Sequence, residues 1–198
     1  MQWLTGTISA GEPGFNFLLL VLAALIVGLY IWGCSRRDKG GRADRLQETY
    51  RRITREALET LKDEELLDAV IANLLAKLDP KKPDPYTVIP LLSRGRRAVY
   101  SIWLTCHELD SRGLRGYLCS PSGRFAEFAA DGLELIGASE SAAVLRDGLE
   151  LDTGDDEATS EQERRLLGAL ERERPLDGCR KYIRDNPGEF VDEEDETH

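Results

Sequence analysis

Four residues near the middle of this 198-residue chain carry the side chains most able to do covalent chemistry: Cys106, His107, Glu108 and Cys119. A histidine beside a cysteine can take the thiol proton and leave a nucleophilic thiolate. Adjacent positions on a helix, however, diverge by about 100°. Cys106 also shares an apolar stripe with Val99, Ile102 and Trp103. The spacing favours a buried structural cysteine, and an enzyme would need a deep pocket lined by His107, Glu108 and Tyr117. There is no Gly-rich phosphate loop, GxSxG or HExxH. None of the four cysteines has CxxC spacing, and His107 and His198 are the only histidines. No catalytic set, metal site or cofactor is therefore expected.

Carboxylates are the other chemical resource. The net charge is -10. Glu127, Asp131 and Glu134 fall in one helical stretch, and Glu140, Asp147 and Glu150 in the next. Asp131 and Glu134 lie three apart, as do Asp147 and Glu150, so each pair shares a helix face. Asp155, Asp156 and Glu157 form a further cluster, and Asp192 to Glu196 are five consecutive acids. A rigid row of carboxylates can occupy a basic groove built for phosphates. A solvated acidic face or a solubilising tail uses the same residues. The same charge disfavours direct contact with nucleic acid.

These side chains must be positioned by helices, and the first is not a core helix. Phe17 to Gly33 carries no charged residue. With Phe15 and Asn16 it spans about 28 Å, close to the ~30 Å hydrocarbon core of a bilayer. Tyr30 and Trp32 sit at one end, where aromatic rings favour headgroups. A cleaved signal peptide wants a basic leader, and residues 1–14 contain no Lys or Arg. A lipoprotein signal using Cys34 would put bulky Trp32 where a small residue belongs, so an uncleaved anchor is the preferred reading. Arg36, Arg37, Lys39, Arg42 and Arg45 follow it. Positive flanks stay inside, which places the N-terminus outside and the rest on the cytoplasmic side of the membrane. The cysteines are then free thiols. Ala24 and Gly28 have the small-xxx-small spacing of a homodimer contact, which also arises by chance.

From Arg36 to Glu59 the balance is eight basic against five acidic residues; from Thr60 onward it is 18 against 30. A basic stalk leads into an acidic domain. Asp44 can cap a helix whose face is Leu46, Tyr50, Ile53, Ala57 and Leu61. A second helix starts near Asp63, with acids in its first turn, and stops before Pro80. Residues 79–90, with four prolines, read as a loop. A third helix, about 90–109, is the most aromatic and central. Residues 111–123 read as a loop in which Glu108 and Asp110 bond the amides. A fourth helix begins around Gly123 and carries Phe125, Phe128, Ala129, Leu133 and Ile136. A fifth starts at Ser139, with Ala142, Ala143, Leu145 and Leu149 inward. Residues 152–159 read as an acidic linker before the capping box Ser160 to Glu163. A last short helix holds Cys179, Tyr182 and Ile183. No segment has the period-2 alternation of a strand. The expected fold is all-α: an external tail 1–14, a transmembrane helix 15–33, a basic juxtamembrane stalk and amphipathic helix 34–62, a compact multi-helix cytoplasmic domain 63–190 and a disordered acidic tail 191–198.

One stretch carries a wider likeness. Val99-Tyr100-Ser101-Ile102-Trp103-Leu104 is followed by Glu108, the segment Ser111 to Gly123, and then Leu135-Ile136-Gly137-Ala138 and Ala142-Ala143-Val144-Leu145-Arg146. With the ending Tyr182 to Phe190, this resembles the C-terminal domain family of bacterial DNA-mimic proteins, over about Asp63 to Phe190. Gly113, Tyr117 and Gly123 match that family's loop. Ser111-Arg112-Gly113-Leu114 replaces its Asn-Gly-Gly-Phe, and Gly116 replaces its Gln. The resemblance implies a non-enzymatic interaction module whose partner is a protein, in particular a DNA-binding regulator. Partner contact would run through Glu127, Asp131, Glu134, Asp147 and Glu150, with Glu108, Ser111, Gly113, Tyr117 and Gly123 shaping the loop. The rival reading is a membrane scaffold that touches another membrane protein through an apolar patch.

Overall fold

The computed structural model describes residues 44–78 and 84–192. The external tail, the expected membrane segment 15–33 with its Ala24–Gly28 pair, residues 34–43 including Cys34, and residues 193–198 lie outside the described residues. Among the described residues, no helix is long and apolar enough to cross a membrane. Contacts divide the chain into a unit over Met1–Arg45 and a compact unit over Leu46–His198. The second is described below.

It is built from helices, with no strand among the described residues. In chain order they are α1 (Arg55–Thr60), α2 (Asp63–Ala76), α3 (Arg94–Leu118), α4 (Ala126–Leu135), α5 (Ser139–Leu149), α6 (Asp156–Glu173) and α7 (Pro175–Asp185), with 3₁₀ turns at Pro85–Leu91, Pro121–Phe125 and Pro187–Glu189. The aromatic helix α3 is central, as its composition predicts: α2, α4, α6 and α7 all pack on it. Its Val99, Tyr100, Ile102 and Leu114 are buried with Leu66, Leu74, Leu133, Leu145, Leu166 and Phe190 in one core. Burying each large apolar side chain contributes about 1.5–3 kcal/mol.

Several boundaries differ from the sequence reading. The face Leu46 to Leu61 is not one helix. The chain turns at 50–54, and Thr54 caps a new helix by accepting a hydrogen bond from the Ala57 N–H at 3.2 Å. Ile53 and Leu58 are buried, so residues 46–62 belong to the packed body and not to a stalk. The loop 79–90 closes in a 3₁₀ turn over Pro85–Leu91. In α5 the inward residues are Ala142, Val144 and Leu145, while Ala143 is exposed. The linker 152–159 is shorter than expected. Asp155 accepts from the Ala158 N–H at 3.0 Å and starts α6, leaving Ser160 inside the helix, where its hydroxyl donates to the Asp156 carbonyl.

The packed body also continues past Phe190. Asp192 accepts hydrogen bonds from the Ile53 N–H at 2.9 Å, Asn73 Nδ2 at 2.7 Å, Lys77 Nζ at 2.8 Å and Arg96 Nη2 at 2.8 Å. Burial alone would raise its pKa. The bonds from Lys77, Ile53, Arg96 and Asn73 outweigh that and hold the carboxyl well below its ordinary value. Arg96 also donates to the carbonyls of Glu189 and Phe190, at 3.0 and 2.6 Å. The expected tail 191–198 therefore contains an anchored residue, Asp192, that ties the segment around Ile53, α2 and α3 to the end of the packed body.

Candidate partner-binding site

The carboxylates named from sequence fall into two settings. On α4, Asp131 and Glu134 do share a face, but Arg146 of α5 reaches between them, Nη2 to Asp131 Oδ1 at 3.1 Å and Nη1 to Glu134 Oε2 at 3.3 Å. The hydrogen bond to Asp131, then that to Glu134, raise the Arg146 pKa. This face borders a groove of about 300 Å³ whose other walls include Arg94, Arg97, Phe128 and Leu135. The Arg97 guanidinium lies 5.0 Å over the Phe128 ring. Three guanidinium groups and two carboxylates line it, so it is a mixed-charge groove and not a phosphate-like row. Glu127, one turn before Asp131, is exposed and outside it.

The second setting is the corner where α5 turns into α6. Asp147, Glu150, Asp152, Asp155, Asp156 and Glu157 are all exposed, and no Lys or Arg interrupts them in sequence. Arg165 approaches Asp147 at 3.4 Å, and Arg115 pairs with Asp156. Asp152 accepts from the Gly154 N–H at 2.9 Å, and Asp155 caps α6. Six carboxylates thus face two guanidinium groups. Negative charge near the α6 N-terminus is also favoured by the helix dipole, so the corner is held acidic at little cost. The cluster was visible in sequence as acids 155–157 and the pair Asp147–Glu150. Its unity was not, because the intervening residues read as a linker.

The loop residues Ser111, Gly113, Tyr117 and Gly123 belong to a bend in α3 and the turn after it. The predicted loop 111–123 is mostly helical: α3 continues to Leu118 and breaks only at Gly113, with φ 70° and ψ 177°. That backbone region is open to glycine and strained for other residues. The N–H freed after the break, on Leu114, donates to Glu163 Oε2 at 2.8 Å. Tyr117 is fully buried, and its hydroxyl meets Thr105 Oγ1 at 2.8 Å, joining the halves of α3 across the kink. Burial pushes the Tyr117 phenol up to about 12. Gly123 lies under the end of α3, where a Cβ would meet the Leu118 carbonyl oxygen at 2.5 Å. Glu108 does not bond loop amides. Its Oε2 pairs with Arg112 Nε at 2.8 Å, and its Oε1 accepts from Ser122 Oγ at 3.4 Å. Ser111 Oγ donates to the His107 carbonyl at 2.7 Å.

The residues with covalent potential are kept apart. His107 is exposed and stacks on Trp103 at 5.6 Å, while Tyr117 is buried elsewhere. Cys106 lines a second groove with Leu170, Arg174, Pro175, Leu176, Asp177 and Arg180. Burial raises its thiol to about 11, which opposes thiolate formation. Cys106, Cys119 and Cys179 are free thiols. Among the described residues no group of His, Cys, Asp and Glu is arranged to hold a metal ion. Among the described residues, Leu91 and Leu167 are the large apolar side chains left exposed.

Sequence reasoning missed a set of long-range caps. Glu173 accepts from the Ser141 N–H at 2.7 Å and the Glu140 N–H at 3.1 Å, capping α5, which has no side-chain cap of its own. Burial works to raise the Glu173 pKa, but these bonds lower it overall. Glu189 Oε2 accepts from the Gly95 N–H at 2.6 Å at the start of α3.

A family model described as DMP19-like protein matches residues 90–197. This covers α3 to α7, the bend, the acidic corner and the start of the tail. No curated protein and no solved structure matches the chain.

Proposed function

Because the chain belongs to the DMP19-like family, that of DNA mimic protein 19, we propose that it is a non-enzymatic protein-binding module that presents carboxylates to the basic surface of a DNA-binding protein. The observation that carries this reading is the corner from Asp147 to Glu157, six exposed carboxylates on a helix end and a helix start that are each packed on the core. A rigid acidic surface can replace phosphates in a basic groove without paying to order a flexible chain. Glu127 adds charge on the neighbouring helix. Asp131 and Glu134 contribute less, because Arg146 already neutralises much of their field.

Residues 15–33 would anchor this module in the bacterial inner membrane, with the domain on the cytoplasmic side. The support is the uncharged run and the basic residues behind it. The partner would then be held at the membrane surface. Full-length protein used as bait at low salt, with nuclease present, is expected to capture a basic protein that is released near 0.5 M salt, where screening shortens to a few ångströms (~4 Å). The variant D147N/E150Q/D155N/E157Q should lose it. Capture that survives both the salt and the variant overturns the reading. The anchor has its own test: full-length protein found in the soluble fraction after lysis refutes it and leaves the binding proposal standing.

A further inference from the structure

Opposite charges line the groove between α3 and α4 without meeting. Its α3 wall carries Arg94 and Arg97, three apart and therefore on one face. Its α4 wall carries Asp131 and Glu134. Between them Ala98 and Gly132 bring the helices so close that a Cβ on Gly132 would lie 3.0 Å from the Ala98 Cα. Phe128 and Leu135 supply apolar surface. Asp131 and Glu134 pair with Arg146, two carboxylates against one guanidinium, so that wall stays negative. Neither Arg94 nor Arg97 forms an ion pair among the described residues. Arg97 is held instead by the Phe128 ring, 5.0 Å away, and by donating from Nη1 to the Pro90 carbonyl at 3.0 Å. Two guanidinium groups without a carboxylate and a wall with a surplus one thus share a space of about 300 Å³.

We propose that this groove binds a small zwitterion with an apolar side chain, an α-amino acid of the phenylalanine or leucine kind. The ligand carboxylate bridges Arg94 and Arg97, whose planar forks suit two-oxygen acceptors. Its ammonium faces Asp131 and Glu134, and its side chain lies on Phe128 and Leu135. The positive end of the α3 dipole adds to the pull on the carboxylate, since Arg94 opens that helix. Charge selects the class. A phosphate dianion gains from the α3 wall but is repelled by the surplus carboxylate opposite, and a plain cation meets the reverse. Size selects within it, because the groove is at the small end of the range for ligand sites. The site shares no residue with the acidic corner 147–157 and does not depend on what that corner binds.

The test is equilibrium dialysis of the full-length protein in detergent micelles against radiolabelled L-phenylalanine, with protein-free micelles as the blank. Saturable binding in the submillimolar range is expected. R94Q/R97Q should weaken it at least about tenfold, the scale of one charge-assisted hydrogen bond. R94Q alone leaves the Arg97 stack and the Pro90 bond in place and should still cost about threefold. Unlabelled L-phenylalanine should outcompete both 3-phenylpropionate, which lacks the ammonium, and phenethylamine, which lacks the carboxylate. In D131N/E134Q that order should change, with 3-phenylpropionate competing best, because the α4 wall is then positive. The corner variant D147N/E150Q/D155N/E157Q should bind L-phenylalanine as the wild type does, so this result and the capture experiment fail independently. No saturable uptake above the micelle blank overturns the proposal. So does undiminished binding by R94Q/R97Q. If 3-phenylpropionate competes as well as L-phenylalanine in the wild type, the groove is a plain anion site and the zwitterion assignment is wrong.

Discussion

The carboxylates of this domain divide into those turned inward and those turned outward. Asp192, Glu163, Glu173 and Glu189 each accept a backbone N–H from a distant segment. The corner from Asp147 to Glu157 spends only Asp152 and Asp155 on its own backbone and leaves Glu150 and Glu157 with no partner among the described residues. Composition gives both groups the same label, acidic. What separates them is whether the folded chain supplies a hydrogen-bond donor. An inward carboxylate exchanges water for N–H groups and guanidinium and stabilises the fold. An outward one keeps its water and its field, and that field is available to a partner.

The largest effect should come from breaking the strongest inward set. Asp192→Asn keeps the size but removes the charge that Lys77, Arg96, Asn73 and the Ile53 N–H converge on, leaving Arg96 partly unpaired in a nearly buried site. A loss of about 3 kcal/mol is expected, measured by urea unfolding of both proteins at pH 7. The sign with pH follows from the depressed carboxyl. In the folded protein Asp192 stays ionised well below its unfolded pKa of about 3.9. Its stabilisation is thus fully present above that value and is lost as pH falls toward the folded pKa. Wild type and D192N should converge in stability only in strong acid. The difference should hold from pH 7 to about pH 5 and shrink progressively below about pH 4, as the unfolded chain's carboxylate takes up a proton; a difference that has not shrunk by pH 3 would show that the carboxyl is not depressed.

Much of the inward architecture was illegible in the sequence for the same physical reason. Helix existence was readable, since α2, α3, α4 and α7 follow apolar periodicity, with acids in the first turns of α2 and α4, Ser93 capping α3 and Pro175 opening α7. Boundaries went wrong where the cap comes from far away. The end of the central helix was placed at Leu109 because Ser, Gly and Arg followed, yet the helix resumes after Gly113 because Glu163, 49 residues on, accepts the orphan Leu114 N–H. The capping box at Ser160 was plausible locally, but its Glu163 was already engaged at that kink. Asp192 read as the first residue of a solvated tail because nothing in its neighbourhood shows that Arg96 waits for it. On the site, the i, i+3 pairing of Asp131 with Glu134 was correct, while the intrusion of Arg146 needed the α4–α5 packing to be seen.

The kink offers the middle-sized test. Gly113→Ala places a side chain at φ 70° and aims a Cβ at Glu163 Oε2, 2.7 Å away. The backbone strain alone is about 1–3 kcal/mol, and displacing Glu163 exposes the Leu114 N–H again. A destabilisation of about 2–3 kcal/mol is expected by thermal or urea unfolding. If G113A is neutral, the bend is a soft feature and the likeness of Gly113 to the family loop has some other cause.

The smallest expected change in stability belongs to the outward group, and it makes the contrast sharpest. Neutralising Glu150 and Glu157 together should shift unfolding by no more than about 0.5 kcal/mol, the ordinary range for surface substitutions. Two small terms oppose each other and nearly cancel: removing like charges relieves repulsion in a chain of net charge -10, and losing Glu157 from the first turn of α6 gives up its attraction to the helix dipole. Neither residue donates to or accepts from anything that a Gln would disturb. Measured beside D192N in the same urea series, E150Q/E157Q would separate a carboxylate that holds the fold from one that the fold holds out. A loss above about 1 kcal/mol would mean that the corner is part of the scaffold, and its carboxylates would then no longer be free to stand in for phosphates.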